Sequence, residues 1–404
     1  MSPLQLEFHP LLSIVYAISI YGCMLLFANR LLRLNSVAAS MTATTSRYGY
    51  LDGLRGLLAT GVLVHHTFTA HRYFVTGEWV WSTMPVPNQL GQTTVALFFM
   101  ITGFLFTSKA IKPQLRWKAL YLSRAARLWP LYAAVVVAVF ALILIASRGV
   151  PREPASALLR EFLLWITFTC FGSPDINTKP MTWTMIAGVS WTLKYEVIFY
   201  LAAIPAIHLL ARWLSTRTAM AMAAVALALL LMFRQLSGNA GSSGNSLYAA
   251  HFLCGILVAY AFELPRWRAL IGMPVIRWAA VVAALSLLTM TNAYSAGAVL
   301  ATITIFAAVV GGASVFGLLG TRAAIWLGDI SYGIYLLHGL MLWILFTAIQ
   351  HKTDLGSIAL TVYWPMMLLV SMGVVALASL SYVVLEKPIM RLSTGERGRA
   401  KLAP

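Results

Sequence analysis

Charge is what this sequence has least of. Only 10% of its 404 residues are Asp, Glu, Lys or Arg, while 60% are hydrophobic, more apolar surface than one soluble core can hide. That excludes a soluble globular protein and makes lipid the missing solvent. Cysteine is scarce as well. Cys23, Cys170 and Cys254 lie scattered in apolar stretches, so they read as small core residues and not as a disulfide frame or a metal site. There is no metal-ligand motif, Walker loop, dinucleotide fingerprint or GxSxG elbow, so ATP hydrolysis and serine hydrolase chemistry lose their usual supports. Acidic residues are few against basic ones, giving a net charge of +17. In a membrane protein such basic residues mark the cytoplasmic side and call for no nucleic acid partner.

What is present is a series of long uncharged runs, at residues 11–29, 79–108, 128–147, 235–262, 278–321 and 355–385. Each is long enough to cross a bilayer. As one helix the run 278–321 would be roughly 66 Å long, about twice the hydrocarbon thickness. It must therefore fold back, and residues 291–297 supply the turn chemistry. Eleven spans result, at 11–32, 54–72, 90–110, 129–147, 192–211, 218–234, 246–263, 276–292, 296–318, 330–350 and 358–385. With the N-terminus outside, 21 Lys and Arg residues fall in cytoplasmic loops and 7 in external ones, which puts the C-terminus in the cytoplasm. The first run is too long for a signal-peptide core and reads as a retained span. Residues 155–171, apolar but carrying Arg160 and Glu161, read as a short external or re-entrant helix.

Ionisable groups inside spans are costly and usually face a cavity or a partner. Arg55 and His66 are eleven residues apart, which on a helix puts them on one face about 16 Å from each other. A mid-membrane imidazole there can serve as a general base on a hydroxyl; its ordinary structural reading is a buried histidine bonded to a backbone carbonyl. Arg124 and Arg127, one turn apart, can grip a phosphate or simply anchor a cytoplasmic helix end. Glu196, near the external end of its span beside Trp191 and Lys194, can orient an imidazole or bind sugar hydroxyls. Trp183 and Trp191 can stack on sugar rings or belong to an interfacial aromatic belt. Ser331 and His338, with Tyr335 between them, share a helical face that can line a cavity or glue helices together. Gly53, Gly56 and Gly103 permit close helix approach, and Pro388, after Glu386 and Lys387, reads as the stop of the last span.

Six fragments in this order, LDGLRGLLATGVLVHH (51–66), FFMITGFLF (98–106), RAARLWPLY (124–132), SWTLKYEVIFYL (190–201), SYGIYLLH (331–338) and VVLEKP (383–388), resemble the membrane acyltransferase family three. The resemblance covers most of the chain. It implies an all-α transmembrane bundle at residues 48–390, with a ten-helix acyltransferase core, an accessory N-terminal helix and linker at 1–47, and a basic cytoplasmic tail at 391–404. It implies transfer of an acyl group, most simply acetyl, from acyl-CoA to a carbohydrate or lipid-linked glycan at the inner membrane, with the acyl-CoA as co-substrate and no further cofactor. His66 is the implied essential histidine, with Arg55 and Glu196 beside it. Arg124, Arg127, Ser331, Tyr335 and His338 fall on segments implied to engage the donor, and Trp183 and Trp191 are expected on the acceptor side. The chain departs from the family pattern at Thr102, where Ser is usual, and at Val197, where a second polar residue is common.

A proton-coupled secondary transporter is the rival, since intramembrane His, Arg and Glu can also relay protons. The sequence offers no convincing internal repeat to support it.

Overall fold

The computed structural model describes residues 2–41, 49–239 and 244–394. Among these the chain is helical, with no strand beyond an isolated bridge between Ile176 and Lys179. The principal helices are α1 (Pro10–Leu31), α2 (Gly49–Thr76), α3 (Pro85–Ala110), α4 (Trp117–Ala146), α5 (Ala155–Ile166), α6 (Ser190–Leu210), α7 (Thr216–Leu236), α8 (Asn245–Glu263), α9 (Pro274–Leu287), α10 (Ala296–Val310), α11 (Arg322–Asp329), α12 (Ser331–Gln350) and α13 (Leu360–Ser393). Every expected span falls on a helix, but not every helix is long and apolar enough to cross unaided. Eight are, or nine if α9 is joined to Pro265–Ile271 across a 54° bend. The eleven-span count is thus not established: α10 has only 15 residues, and α2 is long but polar.

Large apolar side chains cover the outside of the bundle, among them Leu11, Leu26, Ile145, Trp213 and Leu236, each at least 70% exposed. Acyl chains satisfy such a surface and water does not. Inside, α2 is the hub, packed between α1, α3, α11 and α12. Its small residues set the spacing. A Cβ on Gly53 would lie 2.0 Å from the Leu319 carbonyl oxygen, and one on Gly328 would lie 1.9 Å from that of Asp52, so α2 meets both the turn before α11 and the last turn of α11 backbone to backbone. Gly103 and Gly255 bring α3 and α8 together in the same way.

Two helices pass through a proline by way of a π-turn. A π-turn at Phe199–Ala203 precedes Pro205 in α6, and another at Tyr382–Glu386 precedes Pro388 in α13. The wider turn gives room to a ring that would otherwise meet the carbonyl four residues back. The expectation that Pro388 ends the last span is therefore corrected: helix continues to Thr394. The fold-back in 278–321 falls where expected, between Leu287 and Ala296, with Ser295 Oγ accepting from the Ala298 amide at 3.2 Å. The following helix ends at Val310, not residue 318, and Gly312 leaves it at φ +99°.

The α1 helix is built into the bundle. Tyr16 is fully buried and its hydroxyl donates to Thr67 Oγ1 at 2.9 Å, while Trp364 of α13 donates to Ser19 Oγ at 2.9 Å. The helix expected at 155–171 is α5, twelve residues long, anchored by the buried Trp165, whose indole donates to the Pro174 carbonyl. The 47/48 boundary and most of the 391–404 tail lie outside the described residues.

Candidate active site

His66 sits on α2, 7% exposed, and its partners assign its proton. Its Nδ1 lies 3.0 Å from the Val62 carbonyl oxygen and 3.1 Å from Nε2 of His338; Nδ1 of His338 lies 3.0 Å from the Ile334 carbonyl oxygen. A carbonyl only accepts, so both Nδ1 atoms carry hydrogen. Nε2 of the neutral His338 then accepts from His66 Nδ1–H. What remains is His66 Nε2 with its lone pair, the proton-accepting atom of the pair. His338 is fully buried on α12, so the dyad is fixed from two helices.

Arg55, on the same helix as His66, lines a different space. A cavity of about 100 Å³ is bounded by Arg55, Arg124, Arg127, Glu196, Tyr200 and Ser331, with Phe98, Phe99, Phe106 and Tyr332 as apolar wall. The three guanidiniums in it are not equivalent. Arg127 is 7% exposed, 3.3 Å from Glu386 Oε2, and donates to the Asp329 carbonyl oxygen. Arg55 reaches Asp52 at 4.0 Å. Arg124 lies over the Phe106 ring at 5.2 Å, with its Nε unpartnered. Glu196 accepts from Thr102 Oγ1 at 3.3 Å and from the Tyr200 hydroxyl at 3.2 Å. Thr102 thus keeps the hydroxyl that a serine would have offered there.

His66 lines a second cavity of about 450 Å³, walled by Trp79, Trp81, Trp183, Trp191, Tyr248 and Tyr294 and carrying no Asp, Glu, Lys or Arg among its described lining residues. Trp79 lies 5.4 Å from Trp183 and 6.1 Å from the His66 ring. The neighbouring His65 is saturated, with Nδ1 2.7 Å from the Pro87 carbonyl oxygen. Val95 and Tyr335 line both cavities. The Tyr335 hydroxyl lies 2.9 Å from Thr192 Oγ1 and donates to the Val189 carbonyl at 3.3 Å, so the partition between the two spaces is held by its own hydrogen bonds.

The expected residues therefore divide into two groups. Arg55, Arg124, Arg127, Glu196 and Ser331 share the arginine cavity, and His66, Trp183 and Trp191 share the aromatic one. Two expectations change. Glu196 does not orient the imidazole: it lies five residues along α6 from Trp191, about 7.5 Å deeper at a helical rise, on the arginine side of the partition. His338 is in the lining of neither cavity and does not join Ser331 at the donor side; it is the partner of His66. Sequence reasoning missed Trp79, Trp81, Tyr248, Tyr294 and His251 in the aromatic wall. Of these only the tryptophans carried a local signal, a pair flanking Val80 just before α3.

Residues 48–383 match the family model described as an acyltransferase domain. The chain belongs to the membrane acyltransferase family three. This acyltransferase is 26% identical over 341 residues to nodulation protein 10 of Rhizobium leguminosarum bv. viciae, covering 79% of its own length and 86% of the relative's. No solved structure matches it. Family membership, with the apolar helices, makes the acyltransferase a multi-pass membrane protein that works with an acyl donor and an acceptor at a lipid bilayer.

Proposed function

We propose that this acyltransferase moves an acyl group, acetyl in the simplest case, from acyl-CoA to a hydroxyl of a carbohydrate or glycoconjugate in the inner membrane. The observation that carries the reading is a histidine dyad set beside a partition, with arginines on one side and aromatic rings on the other. Arginines suit the anionic groups of a CoA thioester, and the arginine end faces the cytoplasm, where such a donor is found. Pockets that enclose drug-sized ligands measure roughly 300–1,000 Å³. The arginine cavity, at about 100 Å³, takes in only the acyl end of the donor, so the part-buried Arg55 and Arg124 meet the phosphates from its rim.

The chemistry needs one base. His66 Nε2 takes the proton of the acceptor hydroxyl as its oxygen bonds to the thioester carbon. The carbon–sulfur bond breaks, and the leaving thiolate takes that proton back as CoA thiol. His338 holds the Nδ1–H tautomer of His66 and accepts from it while it is charged. For the acyl group to meet the base, Tyr335 and Val95 must give way, so Tyr335 acts as the gate. Arg124 and Arg55 engage the donor, while Arg127, balanced by Glu386, shapes the wall.

A transporter would need a path for its cargo. The hydrogen-bonded partition, which need open only as far as an acyl group requires, supports transfer between two cavities better than passage of a cargo.

The test is a purified His66→Ala protein in detergent, given acetyl-CoA and an acceptor glycan extract, with thiol release and acylated product both measured. Loss of both with the thermal transition intact is the expected result. Acylation at the wild-type rate by that folded variant would falsify the proposal.

A further inference from the structure

The acceptor cavity holds a second imidazole that the chemistry above does not use. His251, on α8, is 2% exposed, lines the aromatic cavity, and has no hydrogen-bond partner at either ring nitrogen. A buried polar group left unmade costs about 1–3 kcal/mol, and native folds seldom leave one without a reason. This fold satisfies its other imidazoles where it can. His65 meets the Pro87 carbonyl oxygen at 2.7 Å and His208 meets that of Ala110 at 2.7 Å. His251 is on no such tether although α8 is packed tightly against α3 through Gly255.

The cavity around it restricts what can fill the gap. Its wall is made of indole and phenol rings, which suit the C–H faces of a pyranose, and no carboxylate, ammonium or guanidinium is among its described lining residues. A ligand bearing a carboxylate, phosphate or ammonium would lose its hydration there with no counter-charge in the wall itself to pair with, since the buried Arg234 guanidinium stands behind it, donating to the Ser246 hydroxyl and to the Asn239 and Tyr294 carbonyls. A neutral imidazole offers one donor and one acceptor nitrogen, and a hydroxyl can answer either.

Resting on the acyl-transfer reading, we infer that His251 is an acceptor-recognition residue. It binds a hydroxyl of an uncharged sugar unit in the aromatic cavity, distinct from the hydroxyl that His66 activates. It fixes which hydroxyl reaches His66, and it limits acceptors to units neutral at the end that enters.

The cavity's tryptophans allow this to be tested as binding, without acyl transfer. The full-length acyltransferase in detergent is titrated with methyl glucoside, N-acetylglucosamine, glucuronate and glucosamine while indole fluorescence is followed. The neutral sugars should bind at least about 10-fold more tightly than the charged ones, and His251→Phe should weaken them by about 10-fold or more. His251→Gln, which keeps a donor and an acceptor, should restore most of the affinity. Deoxy analogues of the best ligand supply the last control: the one lacking the recognised hydroxyl should bind the unaltered protein and His251→Phe alike. Equal affinity for charged and neutral sugars, unchanged binding by His251→Phe, equal losses for every deoxy analogue, or no binding by any sugar overturns the inference. If neutral sugars bind through His251 but no acyl group is transferred, it is the acyl-transfer reading that fails.

Discussion

Replacing His338 with leucine removes the only side-chain acceptor that His66 Nδ1 has among the described residues, at 3.1 Å. In the resting enzyme that bond joins two neutral rings. Once His66 has taken the hydroxyl proton it becomes charge-assisted, and such bonds contribute about 1.5–3 kcal/mol. At 1.36 kcal/mol per decade the loss in kcat would be about 10- to 150-fold. His66 keeps the Val62 carbonyl at 3.0 Å as a second acceptor, which places the expected loss in the lower part of that range, about 10- to 50-fold. The donor KM should not move, because His338 lines neither cavity. His338→Gln, whose side-chain oxygen can stand near the lost Nε2, should recover most of the rate. The assay is initial CoA-thiol release at saturating donor and acceptor, with the thermal transition of each variant recorded. A leucine variant with the original kcat, or one impaired only in donor KM, would refute the dyad.

Other expectations follow from the same geometry. Glu386→Leu strands the buried Arg127 charge and should cost about 3–5 kcal/mol, whereas Arg127→Met combined with Glu386→Leu should return most of it; thermal denaturation in detergent compares the two. Tyr335→Ala removes the hydrogen-bonded partition between the cavities, admits water to the thioester, and should raise acceptor-independent acyl-CoA hydrolysis several-fold in the thiol assay. In the segment between α4 and α6, burial and the hydrogen-bonded carboxyl of Glu153 push Glu161 up from 4.5 to about 7. The folded state therefore holds that proton longer than the unfolded chain does, and stability falls as pH rises from about 4.5 through 7. Protection factors across residues 150–180, with the intrinsic pH dependence of exchange divided out, should be higher at about pH 5.5 than at about pH 8, and Glu161→Gln should flatten the difference.

Local regularity explains what could be read from the sequence. Uncharged runs announced the helices, and the eleven-residue spacing placed Arg55 and His66 on one helix because rise and rotation are fixed by hydrogen bonding within it. The glycines at 53, 56 and 103 marked close crossings for an equally local reason: a missing Cβ is visible in the sequence. Company was not legible. His66 and His338 are 272 residues apart, and Arg127 and Glu386 are 259, and no periodicity reports which helices become neighbours. The ordinary structural reading and the functional one both apply to His66, which holds a backbone carbonyl and a second imidazole through the same nitrogen. Glu196 was assigned to the wrong company because its distance from a span end said nothing of Tyr335, which divides that span's surroundings in two. The π-turns were hidden for a further reason: Pro388 looks like a helix stop, and an apolar run through Pro205 like an ordinary helix, unless the backbone before each is seen to widen.

The packing of α1 against α13 also bears on how the chain is assembled. Ser19 waits for Trp364, and Tyr16 shares the backbone and side chain of Thr67 with Tyr363. Because α1 is made before α13, it reaches the bilayer with these partners still to come, and that side of its seat is filled only once Tyr363 and Trp364 have been synthesised.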